Sequence, residues 1–201
     1  MEFSLRRNAK IAAFLLIALV VTQATFTVLF NTSIAWPRPL IWGLEAVLFT
    51  ILAAFAGAAL VQAGKYQLGW SAIAFSAVLN VVQVSIGLKL FKPFGGVAQQ
   101  VETMGPLIGG IIAFSFLIYN AGKILIGLAA LVFGMSKMNA GSKALGGLTA
   151  LVGVIAIIAN IVLIIFGRDA FLPSPAGGAT GVAATLLLAL CLLSMDHEEK
   201  V

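Results

Sequence analysis

Long apolar stretches separated by short polar breaks run through the sequence. Each stretch has about 20 residues or more, which at 1.5 Å per residue is enough for an α-helix to cross the hydrocarbon core of a bilayer. The breaks contain Gly, Pro, Asn and charged residues, as in "GKYQ" (64–67). The pattern predicts an all-α polytopic membrane protein, a six-transmembrane-helix bundle that forms one integral membrane domain over residues 1–201, with helices at about 10–31, 39–63, 68–91, 107–136, 145–166 and 176–195.

The composition agrees with this class and excludes several others. Hydrophobic residues make up 61% of the chain and charged residues 9%, whereas soluble domains contain roughly 25% charged residues. The formal net charge is +5, but the basic residues lie at the ends of apolar stretches, so we expect no nucleic-acid partner. Because the sequence has one cysteine, Cys191, and one histidine, His197, we expect no metal site, no cofactor and no catalytic triad.

The distribution of basic residues predicts the orientation, because short cytoplasmic loops carry an excess of Lys and Arg. If the stretches cross in alternating directions, the basic residues near or beyond their ends divide unequally between the two sides. One side holds Arg6, Arg7, Lys10, Lys65, Lys137, Lys143 and Lys200, and the other holds Arg38, Lys89, Lys92 and Arg168. We expect an integral protein of the bacterial inner (plasma) membrane with its N- and C-termini cytoplasmic. The first stretch stays apolar through Phe30, too long for a typical signal peptide, which predicts a retained helix.

A parallel helical-hairpin repeat is one interpretation of two local similarities. "PLIWG" (39–43) and "PLIGG" (106–110) open the second and fourth stretches. "LGWSAIAFSAVLNVVQ" (68–83) aligns with "LGGLTALVGVIAIIAN" (145–160) in the third and fifth. Helices two and three would then be repeated as helices four and five, as in some transporters. The alternative is that sequences rich in Gly, Ala, Leu and Ile align with any apolar stretch.

Two ionisable residues, Glu45 and Lys123, lie inside the predicted helices. A charge at mid-helix costs about 2.5–3.5 kcal/mol on insertion scales, so each needs a partner or a functional role. Counting 1.5 Å per residue from the helix ends places Glu45 about 9–10 Å and Lys123 about 12 Å below the outer membrane surface. Because an unpaired charge is disfavoured at low dielectric, we predict that the two face each other, directly or through a ligand or water.

Uncharged polar residues fall at the same depth, roughly 9–14 Å below that surface. Tyr119 and Asn120 share the helix face of Lys123, at i,i+4 and i,i+3. The sequence thus predicts a polar layer whose binding residues are Glu45, Lys123, Tyr119, Asn120, Gln83, Asn80, Asn160 and Gln23. The alternative is structural, since amides commonly form hydrogen bonds between membrane helices and a buried ion pair can fix helix register without binding anything.

Three functions are compatible with these sequence features. In the leading hypothesis, the polar layer binds a polar or zwitterionic small molecule, or a lipid headgroup, in an outer-half cavity for uptake or transfer, because each charge of a zwitterion finds its counter-charge there. In the second, the chain is an accessory subunit of a larger membrane complex. In the third, it is an intramembrane enzyme with Glu45 as acid or base and Lys123 as electrophile or Schiff-base donor. No second carboxylate or nucleophile–His pair accompanies them, so we expect no enzymatic activity.

Small residues recur at four-residue spacing in the second and sixth stretches. They are Ala53 with Gly57, Ala54 with Ala58, Ala59 with Ala63, and Gly177 with Gly181. Such faces allow helix backbones to approach closely, so we expect contacts within the subunit, with a homo-oligomer interface as the alternative. The longest polar break, residues 92–106, is expected to be a plain connector, with an amphipathic turn or a lid over the polar layer as the alternative.

Overall fold

The computed structural model describes residues 3–32, 38–167 and 176–196. Within these ranges the chain is helical and has no strand, as predicted. The elements are α1 (Leu5–Asn31), α2 (Arg38–Gln62), α3 (Gln67–Lys89), α4 (Phe91–Gln100), a 3-10 turn (Glu102–Met104), α5 (Gly105–Asn139), α6 (Lys143–Phe166) and α7 (Ala176–Leu193).

Five of these helices, α1, α2, α3, α5 and α6, are long and apolar enough to cross a membrane. A membrane helical bundle is therefore plausible. The last helix is apolar but shorter over its described part, Gly177–Leu193, so the sixth crossing stays a prediction. Helix α5 has 35 residues, about 52 Å at 1.5 Å per residue, and it exceeds the roughly 30 Å hydrocarbon core.

Local sequence features set several helix ends. The Ser4 side chain caps α1, because its Oγ accepts a hydrogen bond from the backbone N–H of Arg7 at 3.4 Å. Proline occupies the first turn of α5, where its missing N–H costs nothing. At the other end of α5, Gly141 has a φ of 97°, a left-handed conformation that glycine adopts without strain. The chain then turns directly into α6.

Within the described residues, five helices form a closed ring and two lie outside it. Helix α1 packs against α2 and α7, α2 against α3, α3 against α5, and α5 against α7. Helix α6 packs on the outside of α5 and α7, and α4 lies against α3 and α5. The inside of the ring is largely apolar, with fully buried side chains from each of its helices, among them Leu16, Leu52, Ile73, Phe133 and Leu188.

Glycines bring α5 and α6 into backbone contact. A Cβ on Gly153 would lie 2.6 Å from the carbonyl oxygen of Gly127, and a Cβ on Gly134 would lie 2.5 Å from the backbone nitrogen of Ala150. Only residues without a side chain allow this approach. This contact was not predicted, because the small-residue spacing noted in the sequence lies in the second and sixth stretches.

The two ends of the ring can be distinguished. Leu5, Lys65, Lys137 and Asp196 line one cavity, so the start of α1, the α2–α3 turn, and the ends of α5 and α7 lie together. We call this the Lys137 end, and the opposite one the Arg38 end. Of the residues used to predict the orientation, Arg168 and Lys200 lie outside the described residues, and the membrane orientation stays a prediction.

Two further expectations concern the connection after α3 and the repeat. Residues 91–100 form the short helix α4, so the polar break is helical over most of its length. Its first residue, Phe91, packs edge-on against Trp42 of α2, with ring centroids 5.9 Å apart. The hairpins α2–α3 and α5–α6 are both packed, but nothing in these contacts tests the parallel repeat, which stays a prediction.

Candidate functional site

Lys123 occupies the inside of the ring near the middle of α5. Its side chain is 2% exposed, and its Nζ donates a hydrogen bond to Oε1 of Gln23, on α1, at 2.8 Å. The same Nζ lies 5.1 Å from the ring centroid of Tyr119, one turn earlier on α5, within the range of a cation–π interaction. An amide oxygen and an aromatic face therefore surround the ammonium.

Glu45 approaches the same region from α2. It is 6% exposed and lies close enough to Lys123 and Tyr119 for a carboxylate charge there to act on both. Among the described residues it forms no direct ion pair with Lys123, and its Oε1 is buried with no hydrogen-bond partner. The Thr22 hydroxyl lies within hydrogen-bonding reach both of the Glu45 carboxyl and of the carbonyl oxygen of Leu19, which is 3.0 Å away.

We call Gln23, Glu45, Tyr119 and Lys123 the polar cluster. Its fourth wall is α7, which contributes glycines. A Cβ on Gly181 would lie 2.6 Å from Cδ of Lys123, and a Cβ on Gly178 would lie 3.6 Å from the Tyr119 hydroxyl. The lysine stem therefore fits only because α7 has no side chain at Gly181.

Two of the other predicted binding residues make contacts between α3 and α5. Asn80 donates to the carbonyl oxygen of Ser76 at 2.8 Å, and Ser76 Oγ donates to the carbonyl oxygen of Gly122 at 2.8 Å. Gln83 donates to Ser115 Oγ at 3.3 Å. Gln83 therefore joins α3 to α5 by a hydrogen bond between helices. Asn80 bonds within α3, and its amide packs against Gly122 of α5.

For the last two predicted residues, Asn160 and Asn120, the structure describes no hydrogen bond to the polar cluster. Asn160 donates to the carbonyl oxygen of Ala156 at 2.7 Å. Its Oδ1 is buried with no partner in the described chain, 3.6 Å from where a Cβ on Gly177 would lie. Asn120 is buried on α5. The structure thus brings four of the eight predicted residues together, and whether any of the eight binds a ligand stays a prediction.

Comparison with known proteins adds no function. No family model, curated protein or solved structure matches this chain. Within the described ranges, no group of three or more His, Cys, Asp or Glu could hold a metal ion. The chemistry available in the polar cluster is therefore that of one carboxylate, one ammonium, one amide and one phenol.

Sequence reasoning missed three contributors to this cluster, namely Thr22, Gly178 and Gly181. Thr22 precedes Gln23, and its hydroxyl was not connected with Glu45. Gly178 and Gly181 are three residues apart, so they lie on one face of α7. The sequence showed the spacing of Gly177 and Gly181, but only the fold shows that Gly181 makes room for a lysine.

Proposed function

We propose that this chain binds a polar or zwitterionic small molecule, or the headgroup of a lipid, in the polar cluster, and that binding serves uptake or transfer through the membrane. The observation that carries the proposal is the buried Oε1 of Glu45, which has no hydrogen-bond partner within the described residues. A buried acceptor without a donor is costly. An ammonium, hydroxyl or amide of a ligand would satisfy it.

Lys123 supplies the complementary group. An ammonium has three donors, and one of them is used in the hydrogen bond to Gln23. A carboxylate or phosphate of a ligand would accept from another, and such charge-assisted hydrogen bonds are about twice as strong as neutral ones. A zwitterion that presents its cation to Glu45 and its anion to Lys123 would keep the buried charge balanced.

The surroundings favour access from one end. Ten residues separate Lys123 from Phe133 on α5, about 15 Å along the helix, and Phe133 is fully buried against Trp70 with ring centroids 5.2 Å apart. These rings fill the inside of the bundle between the polar cluster and the Lys137 end. A ligand would therefore enter from the Arg38 end or laterally, and transfer to the other side would require the rings to move.

The experiment is mass spectrometry of small molecules and lipids retained by the full chain after mild extraction from its membrane. Wild type is compared with Glu45→Gln and Lys123→Met, and with Lys89→Met as a matched control, because Lys89 is exposed at the end of α3. The expected result is a molecule that wild type and Lys89→Met retain and both cluster variants lose. Identical sets of bound molecules in all four proteins would contradict the proposal.

A role as a subunit of a larger membrane complex is the second candidate, and one observation favours it. On α2, Ala54 and Ala58 are exposed, and no atom lies within 4 Å of a Cβ built on Gly57. Ala54 and Ala58, together with Phe55 and Val61, line a groove of about 400 Å³ on the outside of the ring. Another helix could pack closely in this groove. Co-purification of one larger membrane protein with wild type, lost with Ala58→Phe and kept with Ala53→Ser, would support this role.

A further inference from the structure

A second polar site, distinct from the polar cluster, lies at the Lys137 end of the ring. It is a cavity of about 290 Å³ formed where α1 and α3 begin, where α5 and α7 end, and where α2 turns into α3. Its lining consists of Leu5, Lys65, Tyr66, Trp70, Ser136, Lys137, Ala140, Ser194, Met195 and Asp196. We call it the end cavity.

The lining of the end cavity is rich in cationic and hydroxyl groups. Lys65 and Lys137 supply two ammonium groups, Tyr66 and Ser136 supply hydroxyls, and Asp196 is the one carboxylate among these residues. Lys137 donates from Nζ to the carbonyl oxygen of Ser194, just after α7 ends, which fixes its position at the rim. An ammonium held by one such bond has two donors left.

The backbone at Tyr66 is unusual. Its φ and ψ are 62° and 30°, and no other non-glycine residue of the described chain has a positive φ. Such a conformation costs of order 1 kcal/mol or more for a residue with a side chain and often marks a functional position. Tyr66 and Trp70 both line the cavity, and their rings pack against the Phe133 ring with centroids 6.0 and 5.2 Å apart, so part of the lining is aromatic.

We propose that the end cavity binds a phosphate group, carried either by an anionic phospholipid headgroup or by inorganic phosphate. Lysines bind phosphate as point charges, and basic pockets between membrane helices are typical headgroup sites. At roughly 30 Å³ per water, the volume matches about ten waters, room for a phosphate with its glycerol but not for acyl chains. Asp196 opposes an anion, so its charge should weaken binding. The proposal does not depend on the function of the polar cluster.

The experiment follows the thermal unfolding midpoint of the full chain in neutral detergent. The probes are short-chain phosphatidylglycerol, short-chain phosphatidylcholine, and sodium phosphate against sodium chloride at equal ionic strength. The variant Lys65→Gln/Lys137→Gln is compared with Lys143→Gln, a matched control whose lysine is exposed at the start of α6 and does not line the cavity. Phosphatidylglycerol or phosphate, but not phosphatidylcholine or chloride, should raise the wild-type midpoint.

The concentration that gives half of this rise should increase at least about tenfold in the double variant, since charge-assisted hydrogen bonds are lost, and should change less than about twofold in Lys143→Gln. Asp196→Asn should lower this half-maximal concentration, because it removes a negative charge that repels the phosphate. A response to phosphatidylglycerol alone assigns the site to a lipid headgroup, and a response to both probes assigns it to phosphate in general.

Two results would overturn the proposal: a wild-type midpoint that neither phosphate probe changes beyond its control, or equal responses in the double variant and in Lys143→Gln. If the double variant does not fold, the single variants Lys65→Gln and Asp196→Asn test the proposal instead. Lys65→Gln must raise the concentration of phosphate probe that gives half of the rise in the midpoint, and Asp196→Asn must lower it.

Discussion

Lys123 and Gln23, one hundred positions apart in the sequence, are joined by a hydrogen bond of 2.8 Å between Nζ and Oε1. Gln23 belongs to α1 and Lys123 to α5, which are not neighbours in the ring. The bond therefore crosses the inside of the bundle. Glu45 of α2 lies in the same region. Three largely apolar helices therefore each contribute one polar side chain to a single buried centre.

Removing the ammonium should destabilise the protein more than removing the carboxylate. Lys123→Met keeps the length of the side chain but leaves Gln23 without its donor and Glu45 without a counter-charge, which should cost about 3 kcal/mol or more in the free energy of unfolding. Glu45→Gln removes an oxygen that lacks a partner and should cost less. Denaturation in mixed micelles measures both.

The double variant Glu45→Gln/Lys123→Met tests the coupling between the two charges. We expect it to cost less than the sum of the single variants by about 0.5–3 kcal/mol, as for interacting groups. The control pair is Glu45→Gln with Lys89→Met, which should be additive because Lys89 lies exposed at the end of α3. Additivity in both pairs would mean that Glu45 and Lys123 do not interact.

The lysine pocket in α7 gives a third prediction. In Gly181→Ala the new Cβ would lie 2.6 Å from Cδ of Lys123, so the lysine must leave its position against Gln23, and the variant should lose about 1–3 kcal/mol of stability. Gly178→Ala is the matched control, because its Cβ would be 3.6 Å from the Tyr119 hydroxyl, an ordinary contact. It should be neutral or slightly stabilising.

The background variant Lys123→Ala distinguishes steric conflict from a general weakening of α7. When the lysine stem is absent, Gly181→Ala has nothing at Cδ to displace, and its cost should disappear when unfolding is measured in the same detergent. A cost that persists in that background would show that Gly181 is needed for another reason.

The long helices could be predicted from the sequence because each is a local property, set by an apolar run and ended by breakers such as the Gly141 turn, whereas α4 falls in a segment expected to be a plain connector. The proximity of Glu45 and Lys123 could be proposed because both were placed at one depth by counting residues. The sequence could not show which amide side chains lie beside these two residues, because the depth of a residue does not determine the direction in which its side chain points. Gln23 points into the ring, whereas Gln83 reaches Ser115, and only the order of helices around the ring decides this.

The backbone contact between α5 and α6 gives a fourth prediction. A Cβ at Gly134 would lie 2.5 Å from the backbone nitrogen of Ala150 and 2.8 Å from the carbonyl oxygen of Gly146. Backbone atoms cannot rotate away, so Gly134→Ala should cost about 3 kcal/mol. Gly147→Ala is the control on α6, since its nearest neighbour is Met138 Sδ at 3.9 Å. Equal stability of the two variants in thermal unfolding would contradict the observed packing.

The single cysteine offers a test of the aromatic packing between the polar cluster and the Lys137 end. Cys191 of α7 is 0% exposed, and its thiol donates to the carbonyl oxygen of Phe133 at 3.4 Å. A maleimide reagent can reach it only when the structure opens locally. Phe133→Ala removes a fully buried ring, which leaves a cavity and should cost about 3–5 kcal/mol, so labelling should become at least about tenfold faster. Phe114→Ala, also on α5 but with its ring 56% exposed, should label like wild type. Equal rates in all three proteins would mean that this packing does not limit access to the inside of the ring.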